Sequence, residues 1–366
     1  MPISLNPKPL MTRHLVTNTR IFRDEPVTVV DVGARWGFNE EWKVYGDCLR
    51  VFCFEPDKEE CERLNASAGA NVKYLPFALG AQSGDATLYN TRLSASTGLY
   101  RSNWDYVSRL LNRDNAIVDK EEIIHVTTLD DVLKSAGVQA IDFIKLDVEG
   151  AELDVLSGAA HYVTSPRLIG VLSEFRFHEE INGCPVFSQL DAYLHRFGFR
   201  LFDMHFSHQS RRVLPYEGIG DYWLPSGERF YAYTVHGQIM DGDALYFRDL
   251  LILANQAIRA GVTPVQLLKA ASLFEIYALN DCAAELIIEH RDRLDGKVDC
   301  GELLDLLTPK LRGRRLKYGE YMKAYFADTW RPSRVLSLAK RLAKGLLRRL
   351  GISHRPLVDA VRRMFR

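Results

Sequence analysis

Short apolar runs that end at a glycine or a carboxylate recur along this chain, and helix patterns lie between them. Residues 27–33 form the first run, rich in β-branched side chains, and residues 49–54 form the second, which stops at Glu55 and Pro56. Continuous apolar runs of this length are typical of parallel strands that are buried on both faces. Because strands and helices alternate, the sequence predicts a doubly wound, Rossmann-like α/β sheet.

The strand patterns stop near residue 250, and helix patterns follow. Further strands are predicted at residues 72–77, 141–147, 168–174, 199–206 and 244–247, and helices at 150–163 and 187–197. Beyond them, Gly261 ends one helix, Thr263-Pro-Val-Gln266 is a capping box, and Asp281 is the expected N-cap of another helix.

This change of pattern divides the chain into four parts. We expect an N-terminal extension at residues 1–24, an α/β domain at 25–250, an all-helical C-terminal appendage at 251–330 and a basic tail at 331–366. The appendage is the part through which we expect any oligomer to form.

The basic tail carries a charge that the net charge of zero conceals. Residues 330–366 hold 11 Lys and Arg against one acidic residue, which leaves residues 1–329 with a net charge of −10.

Apolar and basic side chains of the tail fall on opposite sides of a helix, a composition typical of segments that bind anionic membrane surfaces. Docking on the acidic body or on a protein partner is the alternative. No aromatic side chains interleave this helix, which argues against nucleic acid.

Several classes of protein are excluded by the composition. No stretch reaches the ~18 apolar residues of a membrane span, and residues 1–20 lack the apolar core of a secretory signal. The six cysteines show no spacing typical of a metal site, and we expect them to be reduced thiols. We expect a cytoplasmic protein, peripheral at the inner face of the membrane through its tail, with no resident metal.

The loop after the first strand predicts a cofactor site. Asp31 lies at the strand tip, and Gly33 and Gly37, on either side of Ala34, allow the backbone to approach a ligand. Glu55, 24 residues after Asp31, lies where a carboxylate can accept both hydroxyl protons of an adenosine ribose. On this interpretation a Gly33→Val change blocks the cofactor and leaves the fold largely intact. The alternative is an ordinary tight turn with a surface glutamate.

Two carboxylates follow the strand predicted at residues 141–147. Asp147 and Glu149 should both reach the ligand crevice, because ligands of open α/β sheets bind beyond the carboxyl ends of the strands. They could receive a proton, hold a substrate hydroxyl or bind a divalent cation. The alternatives are that Lys145 pairs with one of them, or that Glu149 and Glu152 only favour a helix N-terminus.

Together these motifs resemble the FkbM family of S-adenosylmethionine-dependent O-methyltransferases. The similar strings are Asp31-Val-Gly-Ala-Arg-Trp-Gly37, Phe54-Glu-Pro56, Ala78-Leu-Gly80 and above all Ile144-Lys-Leu-Asp-Val-Glu-Gly-Ala-Glu152. The resemblance covers about residues 25–250 and implies S-adenosylmethionine as the cofactor. It assigns cofactor contacts to Asp31, Gly33, Ala34, Gly37, Glu55, Pro56, Ala78 and Asp147. Arg35 and Trp36 depart from the family, in which small or amide side chains are usual there.

Methyl transfer to a hydroxyl is an in-line displacement, and the hydroxyl proton must leave as the bond forms. The candidate bases at the crevice edge are Glu149, Glu174 and His178. Residues 92–115 form a polar segment that carries aromatic side chains. Such a segment can close over a sugar ring as a lid, or it can pack down onto the domain as a surface insertion.

The sequence therefore predicts an O-methyltransferase that acts on a hydroxyl of a sugar, glycan or glycolipid-type acceptor, as in polysaccharide biosynthesis. One alternative is a nicotinamide-dependent oxidoreductase, which is disfavoured because residues 33–37 do not form a Gly-x-Gly-x-x-Gly motif. The other is a non-catalytic binding or scaffold protein on the same fold.

Overall fold

A computed structural model of the protein describes residues 3–329 except 220, 221, 224–226, 228, 231 and 232. The chain divides into two compact units, Met1–Cys300 and Gly301–Arg366. The amphipathic tail helix predicted within residues 331–366 lies outside the described residues. The division of the chain into four parts likewise stays a prediction.

The described residues form twelve strands and thirteen α-helices. The strands are β1 Val27–Val32, β2 Leu49–Phe54, β3 Val72–Leu75, β4 Ala78–Leu79, β5 Gly84–Thr91, β6 Val118–Thr127, β7 Phe143–Leu146, β8 Gly170–Arg176, β9 Phe199–Gln209, β10 Tyr222–Trp223, β11 Arg229–Phe230 and β12 Gln238–Arg248. The helices are α1 Leu10–His14, α2 Lys58–Ser67, α3 Trp104–Val107, α4 Leu129–Ser135, α5 Glu152–Ser157, α6 Ala160–Thr164, α7 Phe187–Arg196, α8 Gln256–Gly261, α9 Pro264–Ile276, α10 Asn280–Glu289, α11 Arg291–Leu294, α12 Cys300–Leu307 and α13 Tyr318–Thr329. None of the described helices is long and apolar enough to cross a membrane.

Seven of the strands form the central sheet, in the order β3-β2-β1-β7-β8-β12-β9. Neighbours from β3 to β8 run parallel, and β12 runs antiparallel to both β8 and β9. The chain builds outward from β1 to β3 and then returns to β7 on the other side of β1, so the strand order reverses between β1 and β7. Ligands of doubly wound sheets bind at such a reversal. The predicted Rossmann-like α/β sheet with helices at the C-terminal end is confirmed.

A second, three-stranded sheet in the order β4-β6-β5 was not predicted. The sequence pattern predicts one strand at residues 72–77, whereas the chain leaves the central sheet after Leu75 and pairs β4 with β6. Most side chains of β6 are exposed, and charged residues dominate its first half. A strand of this kind lacks the apolar run that reveals a buried strand.

The two faces of the central sheet bury different side chains. On one face, aliphatic residues of β1 and β7, among them Val30, Val32 and Ile144, pack with helices α4 to α7. The other face is aromatic, because Phe143 and Phe247 lie against Tyr277 with ring centroids 5.5 and 6.0 Å away. Burial on both faces explains why β1 reads as a continuous apolar run.

Helix α9 packs on the aromatic face and carries two buried charges. Lys269 Nζ lies 2.9 Å from Asp142 Oδ2 and donates to the Pro26 carbonyl, which joins α9 to the beginnings of β1 and β7. Glu275 accepts hydrogen bonds from the backbone of α1, including one of 2.6 Å from the Thr12 N–H. Helix α9 and the N-terminal segment are therefore held in place by buried, paired polar groups.

Two local predictions are confirmed and two are corrected. Thr263 and Gln266 form the predicted capping box of α9, and α8 ends at Gly261. Helix α10 begins at Asn280 after an N-cap at Leu279, so Asp281 lies in its first turn rather than at the cap.

The helix predicted at residues 150–163 is two helices, α5 and α6, which are separated at Gly158. A Cβ there would lie 2.1 Å from the Gly80 carbonyl oxygen, so the helix breaks where the two backbones meet.

Candidate active site

The glycine loop after β1 is fixed by backbone contacts on two sides. The N–H groups of Gly33 and Ala34 both donate to the Phe54 carbonyl at the end of β2, at 3.0 and 3.1 Å. Gly33 has φ +86°, and a Cβ at this position would lie 1.8 Å from the Asp147 carbonyl oxygen. The expectation that Gly33→Val leaves the fold intact is therefore wrong. Gly33 allows β1 and β7 to approach each other, and the loop continues to Gly37 with φ +107°.

Asp31 and Asp147 end neighbouring strands, and Lys145 joins them. Its Nζ lies 3.2 Å from Asp31 Oδ1 and 3.3 Å from Asp147 Oδ2. Burial alone would lower the pKa of Lys145, but the two carboxylates outweigh it and raise that pKa, so the ammonium stays charged. The alternative that Lys145 pairs with one of the carboxylates is confirmed for Asp147. The Asp31 side chain is buried, whereas that of Asp147 is half exposed.

Glu55 lies at the tip of β2 and is held by the turn that follows it. The Asp57 N–H donates to Glu55 Oε1 at 3.0 Å, and Asp57 in turn caps α2. Burial raises the pKa of the Glu55 carboxyl, an effect that the Asp57 N–H and Arg35 oppose. Pro56 between them is exposed. Glu55 is therefore a buried carboxylate at the tip of the strand next to β1, where the sequence predicts a group that accepts hydrogen bonds from the ribose hydroxyls.

Ala78 lies on β4, outside the central sheet. It is buried and pairs with Val126 of β6. Phe77, which directly precedes it, is 40% exposed and follows the end of β3. The cofactor contact predicted at Ala78 therefore lies at the junction between the two sheets.

Arg176 gathers three carboxylates at the end of β8. Its Nη2 lies 2.6 Å from Glu149 Oε2, its Nη1 3.2 Å from Glu174 Oε2, and its Nε 3.3 Å from Glu180 Oε1. Every nitrogen of the guanidinium therefore faces a carboxylate. Three carboxylates around one buried cation cannot all ionise easily, since each disfavours the charge of the others.

The pKa values of these carboxyls reflect that crowding. Burial raises the pKa of Glu149 to about 8 even though Arg176 opposes the shift, and Asp147 and Glu152 add to it. Burial likewise raises the pKa of Glu174 well above its ordinary range and that of Glu180 to about 7. Glu149 also has φ +55°, a left-handed conformation that L residues adopt at some cost. A strained, partly buried carboxyl with a shifted pKa is typical of a functional site.

A cavity of about 140 Å³ opens beside Arg176, and we call it the carboxylate cavity. It is bounded by β8, β9, β12 and the segment 95–116, and its polar lining includes Glu149, Glu174, Arg176, Glu180, Gln209 and Asp241. From the segment, Ser96, Ser102, Asn112 and Asn115 line it. The predicted lid segment therefore contributes hydroxyl and amide groups to this wall.

Two aromatic residues of the predicted lid segment have contacts within the protein. The Tyr100 hydroxyl donates to Asp154, and Tyr106 stacks on His178 with ring centroids 5.7 Å apart. His178 Nε2 lies 2.8 Å from the Ile239 carbonyl oxygen. The structure thus brings Glu149 and Glu174 together, and His178 is not among the described residues that line the carboxylate cavity.

Glu152 supports the turn that carries Glu149. Its Oε1 accepts hydrogen bonds from the N–H groups of Val148 and Gly150, at 3.0 and 3.2 Å. The side chain is buried. Its contacts are those of a helix N-terminus, in agreement with the alternative considered for Glu152.

Three carboxylates of the site lie close enough to share a cation. One oxygen from each of Asp147, Glu149 and Glu174 lies within 4.8 Å of the other two. Carboxylate oxygens are the ligands that Mg²⁺ and Ca²⁺ prefer. Lys145 and Arg176 already neutralise part of this charge.

Sequence reasoning missed Arg176, Gln209 and Asp241. Arg176 could have been found, because residues two apart on a strand share a face and Glu174 was already a candidate. Gln209 and Asp241 lie on β9 and β12, and their proximity follows only from the antiparallel pairing of those strands.

Comparisons with known proteins identify a methyltransferase domain in the chain. Residues 31–201 match the family model of the methyltransferase FkbM domain. The chain is 25% identical over 129 residues to the 2-O-methyltransferase NoeI of Sinorhizobium fredii (strain NBRC 101917 / NGR234). This match covers 33% of the chain and 51% of the relative, so the chain spans about half the length of that curated protein.

Solved methyltransferase structures resemble the chain only remotely. The magnesium protoporphyrin IX methyltransferase of Synechocystis PCC 6803 with bound SAM is 10% identical, with a TM-score of 0.30 over 66% of this chain and 79% of that one. A SAM-dependent methyltransferase of Aquifex aeolicus is 13% identical, with a TM-score of 0.23 over 66% and 93%. TM-scores this low support no conclusion about function. The match to the family model covers residues 31–201. Over those residues, the chain carries a methyltransferase FkbM domain.

Proposed function

We propose that this protein transfers a methyl group from S-adenosylmethionine to a hydroxyl of a sugar, glycan or glycolipid-type acceptor. The observation that carries the proposal is the position of Glu149, which lines the carboxylate cavity just beyond the tip of β7. Hydroxyl methylation needs a base at the point where cofactor and acceptor meet. The relative NoeI is by its name a 2-O-methyltransferase, which supports oxygen as the accepting atom.

The residues at the tips of β1 and β2 fit the methyl donor. S-adenosylmethionine supplies, when bound, a methyl group on a positively charged sulfur. The Asp31 carboxylate is buried, and Lys145 Nζ lies 3.2 Å from its Oδ1. Its Oδ2 accepts no hydrogen bond from the described residues, so this oxygen can take the ammonium of the methionine part. Glu55 would take the ribose hydroxyls. The remaining contacts that we assign to the cofactor are Gly33, Ala34, Gly37, Pro56, Ala78 and Asp147.

Glu149 has the properties of the base. With a pKa of about 8, a useful fraction of the carboxyl is ionised near neutral pH, and the ionised form is basic enough to take the hydroxyl proton. Arg176 fixes the carboxylate through its 2.6 Å contact. Glu174 shares the same guanidinium and is the second candidate, whereas His178 would need to leave its present contacts.

A divalent cation is an alternative use of the same carboxylates. The spacing of Asp147, Glu149 and Glu174 favours it, because a cation there would hold the acceptor hydroxyl and lower its pKa. Activity that survives prolonged chelation and dialysis would exclude this role. Activity that is lost with EDTA and restored by Mg²⁺ would assign the site to a metal.

Two measurements on the full chain test the proposal. Calorimetric titration should show binding of S-adenosylmethionine and none of NAD, which separates a methyltransferase from a nicotinamide-dependent oxidoreductase. Transfer of a labelled methyl group to glycans or glycosides should then release S-adenosylhomocysteine. Cofactor binding without transfer to any glycan would indicate a scaffold protein or a different acceptor class, and either result would refute the proposed function.

We also propose that residues 331–366 hold the enzyme at an anionic membrane surface, where glycolipid-type acceptors lie. Each Lys or Arg near such a surface contributes ~1 kcal/mol, so half of the 11 basic residues suffice for roughly micromolar binding together with the apolar stripe. Full-length protein should co-sediment with vesicles that contain phosphatidylserine, and a 1–329 truncation should not. Equal sedimentation of the two forms would refute this role for the tail.

A further inference from the structure

Gln209 is buried at the end of β9 and lines the carboxylate cavity with one polar atom unsatisfied. The residue is 6% exposed, and its amide nitrogen lies 3.4 Å from Asp241 Oδ2. The amide nitrogen of Gln209, rather than its oxygen, is therefore the atom that faces Asp241. Gln209 Oε1 then has no hydrogen-bond partner among the described residues. A buried carbonyl oxygen without a partner is rare, and a ligand hydroxyl that donates to it would remove the cost.

The carboxylate that orients Gln209 is itself held on both sides. The Ser207 hydroxyl donates to Asp241 Oδ1, and both residues are buried between β9 and β12. Ser207, Gln209 and Asp241 thus form a fixed polar row on two paired strands. A site built on paired strands positions a ligand more rigidly than one built on a loop.

The charge of the cavity limits which rings can enter it. Four carboxylates line it, from Glu149, Glu174, Glu180 and Asp241, and the buried cation that faces them, Arg176, has all its nitrogen atoms engaged. Arg113, which also lines the cavity, lies 3.6 Å from Asp114. Protons neutralise part of this charge near neutral pH, because the pKa values of Glu149 and Glu180 are about 8 and 7. An anionic ligand would still disfavour the ionised form of Glu149 that acts as the base, and it would find every nitrogen of Arg176 engaged, whereas a neutral or amino-bearing ring meets neither penalty.

The cavity is large enough for the ring of a sugar, while the ring's exocyclic groups would extend toward its opening. Its volume is about 140 Å³. A cavity of ~150 Å³ is known to accommodate benzene, and a pyranose ring also has six members. Hydroxyl and amide groups from Ser96, Ser102, Asn112 and Asn115 surround the remaining space.

We propose that the carboxylate cavity binds one uncharged or amino-bearing pyranose residue of the acceptor. Gln209 Oε1 accepts a hydrogen bond from a ring hydroxyl other than the one that is methylated. Rings that carry a carboxylate or a phosphate are rejected. The proposal rests on the proposed function. Gln209 is thus a specificity-determining residue, and the base remains Glu149.

The test begins with binding of defined sugars to the full chain saturated with S-adenosylhomocysteine. The probes are methyl glycosides of glucose, galactose, mannose, glucosamine and glucuronic acid, together with glucose 6-phosphate, and saturation-transfer NMR measures binding. Neutral or amino glycosides should bind at millimolar concentration, and the two anionic sugars should bind at least tenfold more weakly. If no glycoside binds, or if the glucuronide binds as well as the glucoside, the inference is wrong. The proposed function is judged separately, because cofactor binding and methyl transfer are measured without these probes.

Gln209→Leu then tests the role of the amide oxygen. Among monodeoxy analogues of the best glycoside, one should bind wild-type protein about fivefold more weakly, the loss expected for one neutral hydrogen bond. In Gln209→Leu this discrimination should disappear, while Gln139→Leu, at an exposed glutamine before β7, should keep it. A purely structural role for Gln209 would lower the melting temperature and weaken all analogues in parallel, and that pattern would overturn the proposal.

Discussion

Replacing Glu149 with Gln removes the proposed base and keeps the shape of the side chain. A general base contributes ~100- to 10,000-fold, so turnover should fall by that factor while affinity for S-adenosylmethionine stays the same. Because Glu149 is hydrogen-bonded to Arg176 and to none of the predicted cofactor residues, cofactor affinity should change far less than turnover.

The pH profile gives the same prediction in a second form. The base acts when ionised, and the pKa of Glu149 is about 8, so wild-type turnover should rise about tenfold per pH unit below pH 8 and level off above it. The residual activity of Glu149→Gln should lose this rise. An assay of labelled methyl transfer between pH 6 and pH 9.5 measures both variants under identical conditions.

The stability of the same variant should change in the opposite direction. The folded pKa of Glu149 lies above its ordinary value of 4.5, so the folded state binds the extra proton between about pH 4.5 and 8 and loses stability as the pH rises through that window. Gln cannot ionise. Glu149→Gln should therefore melt at a higher temperature than wild type at pH 9, and this gain should shrink at pH 5.

Glu62→Gln is the matched control, since its side chain lies 69% exposed on α2, and it should leave rate, profile and melting temperature unchanged. If Glu149→Gln keeps the turnover or the pH profile of the wild-type protein, Glu149 is not the base, and Glu174 becomes the candidate. A lower melting temperature at pH 9 would refute the account of its pKa.

Three further changes test the cofactor site and the fold. Glu55→Ala should weaken S-adenosylmethionine binding by roughly 10- to 100-fold in calorimetry, since hydrogen bonds to a charged group are worth ~1.5–3 kcal/mol. Gly33→Ala should destabilise the protein, because its Cβ would overlap the Asp147 carbonyl at a positive φ; the overlap costs ~1–3 kcal/mol in urea unfolding. Lys269→Met should cost ~3–5 kcal/mol in the same measurement, because it leaves the Asp142 carboxylate buried without its cation.

Each of these changes has a control elsewhere in the chain. Glu59→Ala, on the exposed side of α2, should leave cofactor affinity unchanged. Gly84→Ala should have little effect, because a Cβ there meets nothing within 4 Å. Lys58→Met removes a lysine whose side chain is 78% exposed, and it should cost little. If a control behaves like its test variant, the corresponding explanation is wrong.

The sequence alone determined the sheet and the edge at which its ligands bind. Apolar runs of strand length are needed wherever both faces of a sheet are covered, so β1, β2, β7 and β8 could be located without a structure. Parallel strands end at one edge, and this places Asp31, Glu55 and Asp147 near each other in advance.

Only the tertiary structure decided which side chains meet across strands. Arg176, Gln209 and Asp241 come from β8, β9 and β12, and their contacts depend on strand order and antiparallel register, which alternation along one strand does not encode. The need for glycine at position 33 likewise depends on how closely β1 and β7 approach each other. A sequence pattern tells which face or edge a residue occupies, whereas a charge, a pKa or a cavity depends on distances between residues far apart in the chain.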